Sequence, residues 1–423
     1  MFMKDKLNRI LPRVSKPARY TGGEYNSVIK DWEKASVRMV FAFPDVYEVG
    51  MSHLGGKILY GLVNEHPDFL MERTFAPWVD MEEQMRAEGL PLFSLETWRP
   101  VREFDVVGFS LQYELSITNV LNMLDLAGIP LWHRERKEEH PLVIAGGPVC
   151  FNPEPVSPFF DAFLIGDGEE LLPEFLEVIR DNRGRAREDL LRKLAGLEGV
   201  YVPRFYEPEY YADGTFKRMR PADPSLPARI RKRLVTDLDR TYYPRQPVVP
   251  YLDIVHDRAV LEVMRGCQRA CRFCQAGIIY RPVREKSLPL LLEQAGALLK
   301  NTGYEDLSLA SLSTADYSNI EKLVTSLVDR YGPRGIGVSL PSLRADAFSV
   351  RLAAEVQKVR KTTLTFAPEA GTQRLRNVIN KNVSEQDLLD AVEAAFSAGW
   401  LGVKLYFMLG LPTETYADLD GIV

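Results

Sequence analysis

Three of the chain's four cysteines fall within eight residues: Cys267, Cys271 and Cys274, spaced C-x3-C-x2-C. A strand-like run, Ala259 to Met264, leads into them, and Arg265-Gly266 breaks it into a loop. Few folds accommodate such a stretch, because the chain must turn sharply at a strand end while keeping three sulfurs within reach of one another. Zinc would require a fourth ligand, and His256 is the candidate nearest in sequence. A structural disulfide does not suit a chain with four cysteines and no export signal, which points to a reducing cytoplasm. The third reading is an iron–sulfur cube gripped at three corners. A four-iron cluster usually takes four cysteines, so three leave one iron open. An open metal position marks a catalytic centre rather than a closed structural one.

With the aromatic Phe273 just before the last cysteine, Arg265 to Cys274 resembles the cluster loop of the radical S-adenosylmethionine superfamily. The resemblance implies a [4Fe-4S] cluster whose open iron chelates the amino and carboxylate groups of S-adenosylmethionine. One electron then splits the sulfonium and releases a 5′-deoxyadenosyl radical. The cofactor carries that chemistry and the protein supplies placement. A reducing partner such as a flavodoxin or ferredoxin is implied as well.

The 423 residues suit two or three domains. A net charge of −5 gives no global signature of polyanion binding. No apolar run approaches the ~18 residues of a membrane span. The basic segment Met1 to Lys16 lacks the apolar core of a signal peptide.

Residues 1–36 read as an N-terminal arm. From 37 to 183 strands alternate with helices. The strands are Val37 to Phe43, Phe104 to Ser110, Leu142 to Ala145 and Ala162 to Ile165; the helices are His53 to Glu65, Glu114 to Ala127, and one ending near Asp181. That alternation predicts a doubly wound, Rossmann- or flavodoxin-like parallel sheet. Its ligands lie at the carboxyl ends of the strands.

This region resembles the cobalamin-binding domain that precedes many radical S-adenosylmethionine barrels. The fingerprint there is D-x-H-x-x-G, and this chain has Asp45-Val46-Tyr47-Glu48-Val49-Gly50, with Tyr47 in place of the cobalt-ligating histidine. The resemblance assigns Tyr47, Gly50, Ser110, Gly146 and Gly147 to the corrinoid edge, with His53 as a nearby alternative ligand. Either cobalamin binds without a protein ligand below the metal, or the domain binds something else. Cys150, remote from the other thiols, reads as a packing residue.

Residues 184–250 read as a helix, a hairpin around Asp213-Gly214, and a proline-rich linker. The basic cluster Arg229-Ile230-Arg231-Lys232-Arg233 is a solvated face or a contact for RNA phosphate. From 251 to 423, five strand–helix repeats predict a partial (β/α) barrel. Barrels of the superfamily usually have six strands, so truncation after the fifth strand, in a fragment or a shortened reading frame, is expected here.

At the carboxyl ends of those strands the resemblance places Phe273 against the adenine. It places Ser313 and Asp316 near the methionine amino group, with Ser339 at the third strand end and Arg344 on the methionine carboxylate. Glu369 falls to the ribose hydroxyls, and Gly410, opening Gly410-Leu411-Pro412-Thr413-Glu414-Thr415, to the turn over the adenine. The implied activity is hydrogen abstraction from an unactivated carbon of an unknown substrate, with methyl transfer where cobalamin is present. Two rival readings remain at this point: an RNA-modifying methylthiotransferase-like enzyme, and a non-catalytic cluster or cobalamin sensor.

Overall fold

The computed structural model describes residues 2–340 and 364–423. It is a mixed α/β protein with parallel sheets, divided into two compact units. One comprises residues 1–235 and 241–257, the other 236–240 and 258–423.

The first unit is built on a six-stranded sheet: β1 (Val37–Phe43), β2 (Phe69–Phe75), β3 (Val106–Ser110), β4 (Leu142–Gly146), β5 (Ala162–Leu164) and β6 (Val200–Tyr201). The spatial order is β2-β1-β3-β4-β5-β6. All neighbours run parallel except β5 and β6. The order reverses between β1 and β3, which opens a crevice beyond their carboxyl ends. β6 joins this sheet from a stretch whose sequence reads as a connecting segment.

Local chemistry explains most of these elements. β1 reads VRMVFAF and is buried at every position but Arg38, as befits a strand covered on both faces. The helix Leu54–Glu65 is N-capped by the His53 ring, which accepts the Gly56 N–H. The helix Ile117–Ala127 stops where Gly128 takes φ 68°, a left-handed cap.

β2 has no counterpart in the sequence reading. Glu72 and Arg73 interrupt its apolar pattern, yet all seven residues are buried. The charges are compensated inside. Arg73 pairs with Glu96 at 2.6 Å and Glu24 at 2.9 Å, and Glu72 accepts from the Thr97 hydroxyl at 2.8 Å. The arm takes part in this: its first residues form a helix, Phe2–Ile10, and Glu24 reaches the core.

A hairpin of β7 (Tyr206–Tyr210) and β8 (Phe216–Pro221) follows in the first unit. The second unit carries β9 (Ala259–Glu262), the short β10 (Met264–Arg265) and β11 (Arg284–Glu285), β12 (Asp306–Ala310) and β13 (Gly337–Ser339), with β13-β12-β9 forming one parallel sheet. β14 (Leu364–Glu369) and β15 (Val403–Phe407) form a second parallel pair. The helix Leu288–Thr302 follows Ser287, has proline in its first turn and ends at Gly303 with φ 75°. The helix Glu385–Ser397 begins with a capping box between Ser384 and Asp387. The expected helix Ala347 to Arg360 lies outside the described residues. Among the described residues, no helix is long and apolar enough to cross a membrane.

Candidate functional site

The cysteine loop leaves β9 through the two-residue strand Met264–Arg265, which pairs antiparallel with Arg284–Glu285. Gly266 makes the turn at φ 95°, and a Cβ there would lie 2.6 Å from the Pro282 carbonyl oxygen. No residue with a side chain fits that approach. Cys267, Cys271 and Cys274 are all free thiols of intermediate exposure. Among the described residues, no three His, Cys, Asp or Glu side chains are grouped as a single metal ion requires. A four-iron cube makes no such demand, because each thiolate binds a different iron. Free, half-exposed thiols on one sharply turned loop fit such a cube.

Phe273 is 40% exposed, so it is not a core aromatic. Ser313 follows the end of β12 and is 1% exposed. Its hydroxyl has no hydrogen-bond partner among the described residues, and neither does that of Ser339 at the end of β13. Two orphaned hydroxyls at neighbouring strand ends are what an absent polar ligand would satisfy. Ser311 and Thr314, by contrast, spend their hydroxyls on each other at 3.0 Å.

Asp316, expected near a cofactor amine, has its carboxylate held by Arg269 of the cysteine loop. Arg269 Nε donates to Oδ2 at 2.8 Å and Nη2 donates to Oδ1.

Glu369 ends β14 at φ 69°, and its Oε1 accepts from Lys381 Nζ at 3.1 Å. Gly410, at φ 81°, donates its N–H to the Glu414 carboxylate at 2.6 Å and has open space on its Cα. Leu411 of the same turn packs with Ala370, Leu375 and Ile379, which brings the β14 and β15 ends together. Arg344 lies outside the described residues.

In the first unit, Tyr47 and Gly50, which the resemblance assigns to the corrinoid edge, are both buried. Tyr47 is 1% exposed and its hydroxyl donates to Glu24 Oε1 at 3.0 Å. Burial and the Glu24 charge raise the phenol pKa, so it stays protonated. A Cβ on Gly50 would lie 2.2 Å from the Phe75 ring, so this glycine serves packing.

The groups that gather at the β1/β3 reversal are others. Ser110 accepts from the Gln112 amide at 2.9 Å. His53 is lowered to about 4 by burial, against a hydrogen bond with Gln112 that raises it, so the imidazole is neutral. Its Nδ1 is committed to the Gly56 N–H at 3.0 Å. Gly147 takes φ 106°, with a Cβ position 2.5 Å from the Leu111 carbonyl oxygen, while beside Gly146 the nearest atom is 3.9 Å away. Tyr113 and Leu115 stand exposed after β3. Neither Gln112 nor Lys57 belongs to a spaced motif in the sequence; the fold sets Gln112 against Ser110 and His53, and Lys57 near Asp257 and Arg73. Burial is the main influence that brings the Lys57 ammonium down to about 8.

Known proteins resemble this chain in sequence and in fold. A model of the N-terminal region of radical SAM proteins matches residues 55–203, and the radical SAM superfamily model matches 261–423. The chain is 29% identical over 386 residues to the uncharacterized protein MJ0966 of Methanocaldococcus jannaschii, covering 90% of this chain and 71% of that one. The radical S-adenosylmethionine methyltransferase TsrM from Kitasatospora setae, solved with tryptophan substrate and a SAM analogue, shares the fold. Its TM-score is 0.60 at 15% identity, over 90% of this chain and 70% of that chain. The cobalamin-dependent radical enzyme OxsB, solved with aqua-cobalamin and S-adenosylmethionine, gives 0.58 at 12% identity, over 91% and 51%. With both superfamily models side by side along it, this chain belongs to the radical S-adenosylmethionine superfamily, the iron–sulfur enzymes that cleave S-adenosylmethionine reductively.

Proposed function

We propose that Cys267, Cys271 and Cys274 hold the [4Fe-4S] cluster of this enzyme by three irons and leave the fourth to S-adenosylmethionine. The observation that carries the reading is the set of three free, half-exposed thiols on one eight-residue turn after a strand of a parallel sheet. When bound, the cluster supplies the electron that cleaves S-adenosylmethionine to a 5′-deoxyadenosyl radical.

The chain's own residues bind and orient. Ser313 and Ser339 offer buried hydroxyls to the polar end of the methionine. Phe273 covers the adenine, and Glu369, with Lys381 on one oxygen, faces the ribose. The Gly410 turn, pinned by Glu414, closes beside it. The strand–helix repeats of the second unit are those of a partial barrel. Electrons come from a flavodoxin- or ferredoxin-like donor in the cytoplasm.

The first unit is read as a doubly wound, flavodoxin-like domain, and its strand order 2-1-3-4-5 supports that. We assign a corrinoid to the crevice at its β1/β3 reversal, beside Ser110, Gln112, Gly146 and Gly147. Tyr47 is spent on Glu24 and His53 Nδ1 on a helix cap, so no cobalt ligand comes from the first-strand loop. The reaction is then radical hydrogen abstraction or methyl transfer on a substrate yet to be named. A methylthiotransferase-like reading, in which three further cysteines carry a second cluster, is not favoured, since the remaining cysteine, Cys150, is sealed in the core.

Anaerobic reconstitution followed by spectra with and without hydroxocobalamin, before and after S-adenosylmethionine, tests the whole reading. About four irons per chain, lost in Cys271→Ala, and 5′-deoxyadenosine after dithionite are expected. Full iron retention in Cys271→Ala sinks the assignment.

A further inference from the structure

The cysteine loop is tied on two flanks by groups that bind no sulfur. On one flank, Arg269, between the first and second cysteines, forms the two-pronged pair with Asp316. The Asp316 side chain is 7% exposed and that of Arg269 is 26% exposed. On the other flank, the Arg272 N–H donates to the Ile379 carbonyl at 2.9 Å, and its guanidinium donates to the Val378 carbonyl. The Asn380 amide donates to the Ala270 carbonyl at 2.9 Å. Ala270 and Asn380 both sit at positive φ, 57° and 54°. Asparagine adopts that conformation readily, but it costs Ala270 about 1 kcal/mol or more, so there it persists only where the surroundings hold it.

We propose that Arg269 and Asp316 form a positioning latch, which orders the loop for its cluster and sets the charge at the cluster's edge. This rests on the cluster reading above. A short loop bearing three thiols has no internal reason to keep them ordered, since the thiolates repel one another once ionised. A forked guanidinium–carboxylate bond supplies both distance and orientation, which a lysine cannot duplicate. Asp316 lies 47 positions along the chain, in the short helical turn Thr314–Asp316 that follows β12, so the latch fastens the loop to the segment leaving a neighbouring strand of the sheet. The pair also cancels its own charge. Reduction adds an electron to the cluster, so a lone arginine would favour the reduced state and a lone aspartate would oppose it. Net charge and hydrogen bonds near the sulfurs are among the levers on such potentials.

The test uses the full chain, reconstituted anaerobically with ferrous iron and sulfide. Arg269→Gln, Asp316→Asn, their double variant and Arg269→Lys are compared with wild type. Iron per chain, reduction potential and the electron paramagnetic resonance signal with and without S-adenosylmethionine are recorded. Circular dichroism checks that each variant folds. Each single variant is expected to hold its cluster roughly tenfold less tightly, the usual scale for a support behind a metal ligand. The double variant should be no worse than the weaker single one, because both changes break the same contact. The potential should rise in Asp316→Asn, fall in Arg269→Gln and return towards wild type in the double variant. Arg269→Lys, which keeps the charge but loses the fork, should keep the wild-type potential with weakened iron binding. Additive iron losses, or potentials that move the same way in both single variants, overturn the latch and leave a merely structural contact. So does a full cluster with an unchanged potential in both. Iron retained in Cys271→Ala, or no iron in wild type, instead overturns the cluster reading, and the latch with it.

Discussion

Arg73 Nε lies 2.6 Å from Glu96 Oε1 in the interior of the first unit, with side-chain exposures of 5% and 0%. The same guanidinium reaches Glu24 at 2.9 Å and stands over the Tyr60 ring at 5.0 Å from its centroid. The Arg73 backbone N–H also donates to Glu96 at 2.8 Å. One cation thus joins β2, the segment after it and the N-terminal arm, and burial leaves water no access to replace any member.

Glu96→Gln is expected to destabilise the first unit by ~3 kcal/mol, the scale for leaving a buried ion partly unpaired. Thermal or urea unfolding measures it. A loss under about 1 kcal/mol would mean that the remaining Glu24 contact suffices, as it would for an exposed pair. Arg73→Met should cost less than Arg73→Ala, because it fills the space while leaving the carboxylates to be protonated.

Lys57 gives a pH dependence. Burial and the Arg73 charge lower its ammonium to about 8 from 10.5, against an opposing pull from Asp257. Its folded value is depressed, so the folded chain binds fewer protons than the unfolded one between about 8 and 10.5. Stability contributed through this group therefore rises with pH across that window, and its charging penalty is complete below about 8. Lys57→Met should abolish that slope and stabilise the protein at neutral pH. Acylation at pH 8 followed by peptide mass mapping should mark Lys57 ahead of fully exposed lysines. Equal labelling of all lysines would show an ordinary ammonium there.

The thiols divide into two classes. Cys150 is 0% exposed, and burial raises its pKa well above the ordinary thiol value. Cys267, Cys271 and Cys274 are partly exposed. Iodoacetamide on the metal-free folded protein should therefore add three groups, all in the loop, and a fourth only after unfolding. Loading the cluster should protect the three. Alkylation of Cys150 in the folded protein would show that the packing around it opens.

Much of this protein could be read along the chain. Strand and helix spacing predicted an α/β protein, because periodicity reports which face each element buries. Gly128 ends a helix directly after Ala127, where the sequence ends it, since a left-handed cap is a local requirement. The cysteine spacing likewise needs nothing beyond ten residues. β2 was not legible. A strand holding Glu72 and Arg73 looks polar until the carboxylates that neutralise the arginine are known, and Glu24 and Glu96 lie 49 and 23 residues away from it.

The remaining assignments turned on partners that the chain order does not announce. Tyr47 occupies the place of a metal ligand in the sequence, but Glu24 takes its hydroxyl into the core. Asp316 has the look of a ligand-binding acid, but Arg269 claims both of its oxygens. Local spacing by itself determined the strand–helix alternation and the thiol loop, because each depends on backbone geometry over a few residues. Only the tertiary structure decided which polar groups remain free for a ligand, because a side chain's availability depends on what the fold brings within 3 Å of it, and such pairings join residues far apart in the chain.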